Sequence, residues 1–329
     1  MPEAEPERSK LLDAATMGAY RFGSLASRLM PSAVAQAAAS SLGFTASFAN
    51  QARREMIARH LRRVNPRLQG TALRLAVQQA FDSYARYYME SFRLPSLSAR
   101  TVDRTFSVDG FDLIPAALEQ GKGCIFALPH LGGWEWAGRW MTDQGYKLTV
   151  VVEALQPPEL FEWFAELRQE LGMTVVPTGP KAGAAVLAAL RANEIVCLLC
   201  DRDIDRHGVE VEFFGERTTL PAGPATMALR TGAPILPVGV YFTQRTNGHH
   251  AVVRPPLPMT RLGGLREDVA RITQLLAHEL EFLIRRAPEQ WHLLQPNWPS
   301  DVVALGAADG TGPAADGSGP AAEGSGVPQ

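Results

Sequence analysis

Apolar residues change their spacing along this chain, and the changes mark its segments. Over 71–94 they recur at three- and four-residue intervals, with Phe81, Tyr84, Tyr88 and Phe92 on one face, which predicts an amphipathic helix closed by Pro95. From about Val102 the pattern becomes short, nearly continuous apolar runs separated by helical stretches. The runs predict strands near 123–128, 148–152, 195–200, 209–214, 235–241 and 251–254, and the stretches between them predict helices near 134–143, 158–171, 183–192, 222–231 and 265–286. Such alternation predicts an α/β fold, a mostly parallel central sheet flanked by helices, with a helical amino-terminal region ahead of it. After Trp298-Pro299 large apolar residues almost vanish, and GPAAD at 312–316 is nearly repeated as GPAAE at 319–323. One domain is therefore expected over 1–303, helical and basic over residues 1–100, followed by a disordered low-complexity tail over 304–329.

Composition sharpens this picture at two points. With 329 residues, 46% of them hydrophobic, the chain has enough apolar material for a substantial core. Cys124, Cys197 and Cys200 are too few for a disulfide framework, no secretory leader opens the sequence, and no apolar run reaches membrane-spanning length. A reducing, cytoplasmic location is expected. The net charge of -2 hides an asymmetry, because residues 1–100 carry 14 Lys and Arg against 7 Asp and Glu. Arg53, Arg54, Arg59, Arg62, Arg63 and Arg67 cluster among Leu, Met and Phe. That composition suits either a solvated helical face or a helical surface lying on anionic lipid. Nucleic acid is not an expected partner, since no recognition motif accompanies the arginines.

Candidate chemistry collects at predicted strand exits, where open α/β sheets bind ligands. His130 stands in Leu128-Pro129-His130-Leu131-Gly132-Gly133-Trp134-Glu135, between the 123–128 strand and the 134–143 helix. Its glycines permit close backbone approach, and the unpaired amides that open the helix can receive a negative oxygen. Along one continuous helix His130 and Glu135 would be turned roughly 140° apart, so they can meet only if His130 lies in the loop. Asp201 follows the 195–200 strand in a run of charge, Asp201-Arg202-Asp203-Ile204-Asp205-Arg206-His207. This run reads either as a self-paired surface loop or as the source of a carboxylate that fixes the tautomer of His130. Asp203 and Asp205 would then be structural or solvent-facing, and Glu210, on the alternating 209–214 strand, is the second choice of partner. Arg168 and Arg230 are either solvated helix arginines or anion-binding groups, and Glu153, at another strand exit, is placed to pair with an arginine. Cys197 and Cys200 have redox spacing but sit inside an apolar strand, which argues against redox work. His249-His250 is expected in a solvated loop. No serine elbow, phosphate-binding loop or dinucleotide fingerprint is present.

The segment His130 to Glu135 resembles the H-x4-D/E signature of glycerolipid-type acyltransferases. Asp201-Arg202-Asp203 and the stretch from Gly208 to Gly215 resemble motifs of the lipid A biosynthesis lauroyl/myristoyl acyltransferase family, and within it the branch acting on phosphatidylinositol mannosides. The likeness covers most of residues 10–300; Glu135 stands where many relatives have Asp. The resemblance implies transfer of a long acyl chain, typically palmitoyl, from acyl-CoA as co-substrate to a mannose hydroxyl of a glycophospholipid. The work would be done peripherally at the cytoplasmic face of the cell membrane, on an anionic surface. His130 would be the general base, Asp201 its partner and Glu135 a support. Arg168, Arg230, Glu153 and Glu210 would contact substrate, with no metal and no cofactor. Alternatives are a lipid-binding protein without catalysis, a thioester hydrolase, or a transferase using another acceptor such as a lipid A precursor.

Overall fold

A computed structural model describes residue 18 and residues 20–153, 158–204 and 207–308, the last few (304–308) by their backbone alone. Asp205 and most of the expected tail lie outside the described residues. Nine strands are described: β1 (Phe106–Asp109), β2 (Cys124–Leu128), β3 (Leu148–Val152), β4 (Thr174–Pro177), β5 (Ile195–Leu199), β6 (Val209–Phe213), β7 (Glu216–Leu220), β8 (Ile235–Phe242) and β9 (His249–Val253). Seven form one sheet in the order β1-β9-β8-β2-β5-β3-β4, while β6 and β7 form a separate hairpin. Within the large sheet only the β8–β9 pair is antiparallel. The fold is thus α/β, with a mostly parallel sheet, flanking helices and a helical amino-terminal region, as the alternation predicted.

Helices cover both faces, which is why the central strands read as unbroken apolar runs. Every residue of β2 and of β8 is buried. On one face, helices Ala182–Arg191, Gly223–Thr231 and Leu265–Arg285 contribute Leu190, Ala228, Ile272 and Leu276 to the core. On the other, helices Trp134–Asp143 and Pro158–Glu170 bring Trp136, Phe164 and Leu167. The strands that the sequence did not announce are β1, β4 and β7. Strands β1 and β4 close the two edges of the sheet, where half-exposed residues need not be apolar. Strand β7 (ERTTL) is polar, and it is joined to β6 by Phe214 and Gly215, both at positive φ, as two-residue hairpin turns require.

One further expectation is corrected. His249 opens β9 and is 1% exposed, because β9 begins ahead of residue 251 and draws the histidine under the neighbouring helix. At the carboxyl side a helix, Pro299–Ala308, runs past the expected boundary at 303.

After helical residues 20–29 come three longer amino-terminal helices, Ser32–Ala49, Gln51–Val64 and Gly70–Arg93. Ala35, Ala39, Gly43 and Ser47 recur every four residues and form the buried stripe of the first, which packs on the third. A β-carbon at Gly43 would stand 2.7 Å from the Cα of Asp82, so this crossing needs a glycine. The other side of that helix is exposed at Leu42, Phe44 and Phe48. Of the clustered arginines, Arg59 and Arg63 turn inward to ion pairs with buried Asp301 at 3.1 and 2.7 Å, leaving Arg53, Arg62 and Arg67 on the surface.

Candidate active site

Strands β2 and β5 are parallel neighbours in a register that pairs Leu128 with Leu199. His130 and Asp201 each stand two residues beyond that rung, so the sheet delivers them side by side. The His130 Nδ1 lies 2.7 Å from Asp201 Oδ1, and the His130 backbone N–H donates to Oδ2 at 3.0 Å. Trp291 donates its indole N–H to the same Oδ2 at 2.7 Å, and Asn297 donates its side-chain amide to the Asp201 carbonyl at 3.0 Å. Asp201 is fully buried. Burial by itself would push its carboxyl up, but the His130 ring, the Trp291 indole and the His130 backbone amide together hold it below the usual carboxylate range. An ionised Asp201 can only accept, so Nδ1 of the His130 ring carries a proton, and in the uncharged tautomer Nε2 is the acceptor. Among the described residues Nε2 has no partner, and the ring lines an open cleft of about 390 Å³.

Glu135 does not join this pair. It is 4% exposed in the first turn of its helix and turned toward Arg168, which donates from Nη2 at 2.5 Å and from Nε at 3.0 Å, with the Tyr87 hydroxyl donating at 3.1 Å. Burial works against the charge on Arg168, but Glu135 outweighs it and raises the affinity of the guanidinium for its proton. Arg168 is therefore paired with a carboxylate through Nε and Nη2. It lines the cleft, and with Trp134, Val151, Val152 and Leu199 it also borders an interior apolar cavity of about 80 Å³. Phe126, Leu128, Met141, Leu148 and Val238 extend that cavity between the sheet and the Trp134–Asp143 helix. The loop that carries His130 is held close: Gly132, at φ +59, lies against the Val240 carbonyl, and a β-carbon at Gly133 would stand 2.6 Å from the His249 ring. The Gly132 amide already donates to the Gln290 carbonyl at 2.9 Å, so anion-receiving amides begin at Gly133.

Other expected site residues divide. Glu153 pairs with Arg202 at 2.5 Å on the wall of the cleft, which is the arginine partnership its position suggested. Asp203 lines the same cleft and accepts the Gly208 amide at 2.8 Å, a structural role. Glu210 does not reach His130; it stands on the outer face of the hairpin, 68% exposed, paired with Arg217. Arg230 is also elsewhere, because it lies in the last turn of the Gly223–Thr231 helix and borders a cavity with Lys122 and Arg191 ahead of β2, at the amino end of that strand, whereas His130 follows its carboxyl end. Burial raises the Cys197 and Cys200 thiols far above the range in which they ionise, as their strand setting implied.

Sequence reasoning missed the segment that closes the site from behind. Trp291, His292 and Asn297 lie in QWHLLQPNWP at 290–299, whose density of tryptophan, histidine and amide after a long helix is a signal in itself. His292 donates its backbone N–H to the His130 carbonyl at 2.7 Å, and its Nε2 lies 2.9 Å from the Ser83 hydroxyl. Burial first, and the nearby His130 second, push its imidazolium down to about 3, so it is neutral at physiological pH.

A buried carboxylate, a histidine with one open nitrogen and an adjoining apolar cavity form an arrangement suited to moving acyl groups onto hydroxyls. The family model described as bacterial lipid A biosynthesis acyltransferase matches residues 2–300, and the chain belongs to that family. It is similar to the phosphatidylinositol mannoside acyltransferase of Mycobacterium tuberculosis, 38% identical over 303 residues, which cover 90% of this chain and 92% of the relative. It is similar also to the protein of that name from Mycolicibacterium smegmatis, 37% identical over 290 residues, 86% of this chain and 91% of the relative.

Proposed function

We propose that the protein transfers a long acyl chain, palmitoyl in the first instance, from acyl-CoA to a mannose hydroxyl of a phosphatidylinositol mannoside at the cytoplasmic membrane surface. The observation that carries the chemistry is the open Nε2 of His130, held by ionised Asp201 over a cleft that adjoins an apolar cavity. The names of the relatives support the choice of acceptor. In this reading the acyl chain enters the apolar cavity and its thioester carbonyl stands near Gly133. His130 Nε2 takes the proton of the mannose hydroxyl as the oxygen bonds to the thioester carbon. The carbonyl oxygen gains negative charge, which the amides opening the Trp134–Asp143 helix receive. The tetrahedral intermediate then expels the thiolate, which recovers the proton from His130. Asp201 stays ionised throughout and stabilises the transient imidazolium. No covalent acyl-enzyme is needed, because the acceptor attacks directly.

Membrane placement is supported by the exposed apolar residues of the amino-terminal helices. Phe22, Leu25, Leu29, Phe44 and Phe48 are each more than half exposed, and Arg53, Arg62 and Arg67 are nearby in sequence. No helix among the described residues is long and apolar enough to cross a membrane.

The test is palmitoyl-CoA with phosphatidylinositol mannoside in mixed vesicles, reading both acylated lipid and free thiol. Folded His130→Ala is expected to lose at least about 10²-fold in turnover, the scale of general-base catalysis; wild-type turnover in that variant would end the reading. Thiol release that persists without acceptor would mark a hydrolase. Vesicle binding with no thiol release at all would mark a lipid-binding protein.

A further inference from the structure

The segment from Gln290 to Asp301 runs behind the His130–Asp201 pair as a strap. At one end the Gln290 side chain is bonded twice to the backbone of Phe242, its Oε1 accepting at 2.7 Å and its amide donating at 3.1 Å. Leu131 and Trp291 form an isolated antiparallel bridge. At the other end Asp301, fully buried, accepts the backbone N–H groups of Asn297 and Trp298 and ion-pairs with Arg59 and Arg63. His60 lies 3.3 Å from the same carboxylate and 3.0 Å from the Leu293 carbonyl. Between these anchors the strap touches the pair three times, through Trp291 Nε1, the His292 amide and the Asn297 side chain. Trp291 is 3% exposed and cannot shift without disturbing Phe214 and Trp298, against which it packs.

We infer that Trp291 is a positioning residue for acyl transfer, fixing which oxygen of Asp201 faces the His130 ring and how strongly that carboxylate attracts the ring's proton. The inference rests on His130 acting as the base. Oδ2 receives two N–H groups, from the indole and from the His130 backbone, so only Oδ1 is free to accept from Nδ1. A charge-assisted bond of this kind spreads the carboxylate's charge toward the indole. Removing the indole N–H leaves Asp201 more basic, so the pair holds an added proton more tightly and the free-base form of the site appears only at higher pH. Other charged or titratable groups around the pair are Cys200 beside Asp201, His60 against Trp291, His292 on the strap, and Tyr84, Tyr87, Tyr88, Glu153, Arg168, Arg202 and Asp203 along the cleft. All of them are retained in the variant.

The experiment is Trp291→Phe in the full-length protein, with kcat, KM for palmitoyl-CoA and the pH profile of kcat measured beside the wild type and His130→Ala. The expected result is a tenfold or larger fall in kcat, KM within about twofold, and the acid limb of the profile moved up by about one pH unit, the size of one charge-assisted bond. An acid limb that stays in place, whether kcat falls or not, overturns the inference and assigns Trp291 to packing alone. If the phenylalanine variant does not fold, the benzothiophene isostere of tryptophan is placed at position 291 by nonsense suppression, which keeps the ring volume and removes only the N–H; the same shift is expected, and its absence is equally fatal. Loss of activity in His130→Ala with an unmoved profile in the position-291 variant removes this inference and leaves the general-base reading standing. Retained activity in His130→Ala removes the general-base reading itself.

Discussion

Burial pushes the Asp201 carboxyl up, and donors on separate segments more than offset it and hold the group below the usual carboxylate range. Glu135, the carboxylate nearest to His130 in sequence, is committed to Arg168 and Tyr87 instead. These different surroundings predict different losses. Folded Asp201→Asn cannot stabilise the imidazolium and leaves the ring tautomer unset, so kcat should fall by about 10²–10⁴-fold. Glu135→Gln strips a buried guanidinium of its counter-charge and should cost about 3 kcal/mol of stability, the scale of a broken buried pair. Urea unfolding and steady-state kinetics on both variants separate the two roles. If Glu135→Gln were fully stable and catalytically dead, Glu135 rather than Asp201 would be the partner that matters.

At the scale of elements, the strap docks a neutral histidine against the third amino-terminal helix, and this makes its stability depend on pH. The imidazolium of His292 is pushed down to about 3 in the folded protein, against about 6.5 in an unfolded chain. Between those values the unfolded chain binds a proton that the folded one refuses, so stability falls as pH drops from about 6.5 toward 3. Above about 6.5 the residue contributes no pH dependence. Denaturant midpoints followed from pH 7 to pH 4 should therefore decline in the wild type and decline less in His292→Gln. Equal slopes in the two proteins would show that the histidine is protonated in its folded setting. The residue is 5% exposed and its ring packs against Tyr84, Tyr87, Trp134 and Phe242, so a charge on it would be poorly solvated.

Across the whole molecule, the excess of positive charge and the exposed apolar surface are both concentrated in the amino-terminal third, while the reactive pair sits at the carboxyl ends of the strands. The strap joins the two regions, because Asp301 ties it to Arg59 and Arg63 on the basic helix. Vesicle co-sedimentation should show binding that increases with anionic lipid and weakens with salt, as surface electrostatics does. Replacing Phe44 and Phe48 together with Ser should reduce binding to vesicles and leave the thermal midpoint within a few degrees, since both rings are exposed already. Undiminished binding would move the lipid-facing surface to another region of the chain.

The apolar pattern by itself determined the order of strands and helices, the α/β class and the position of His130 and Asp201 at strand exits, because buried parallel strands must read as continuous apolar runs. Edge strands β1 and β4 were not legible, since an edge residue faces water on one side and carries no such constraint. Nor could spacing alone separate Asp201 from Glu210, or give Arg168 its partner. Those choices depend on lateral strand order and register, which place residues 71 positions apart in hydrogen-bond contact and send Glu210 and Arg230 to other surfaces. Only the tertiary structure could bring Trp291 from the far end of the chain against a carboxylate that the sequence had merely nominated, and His292 against the carbonyl of His130.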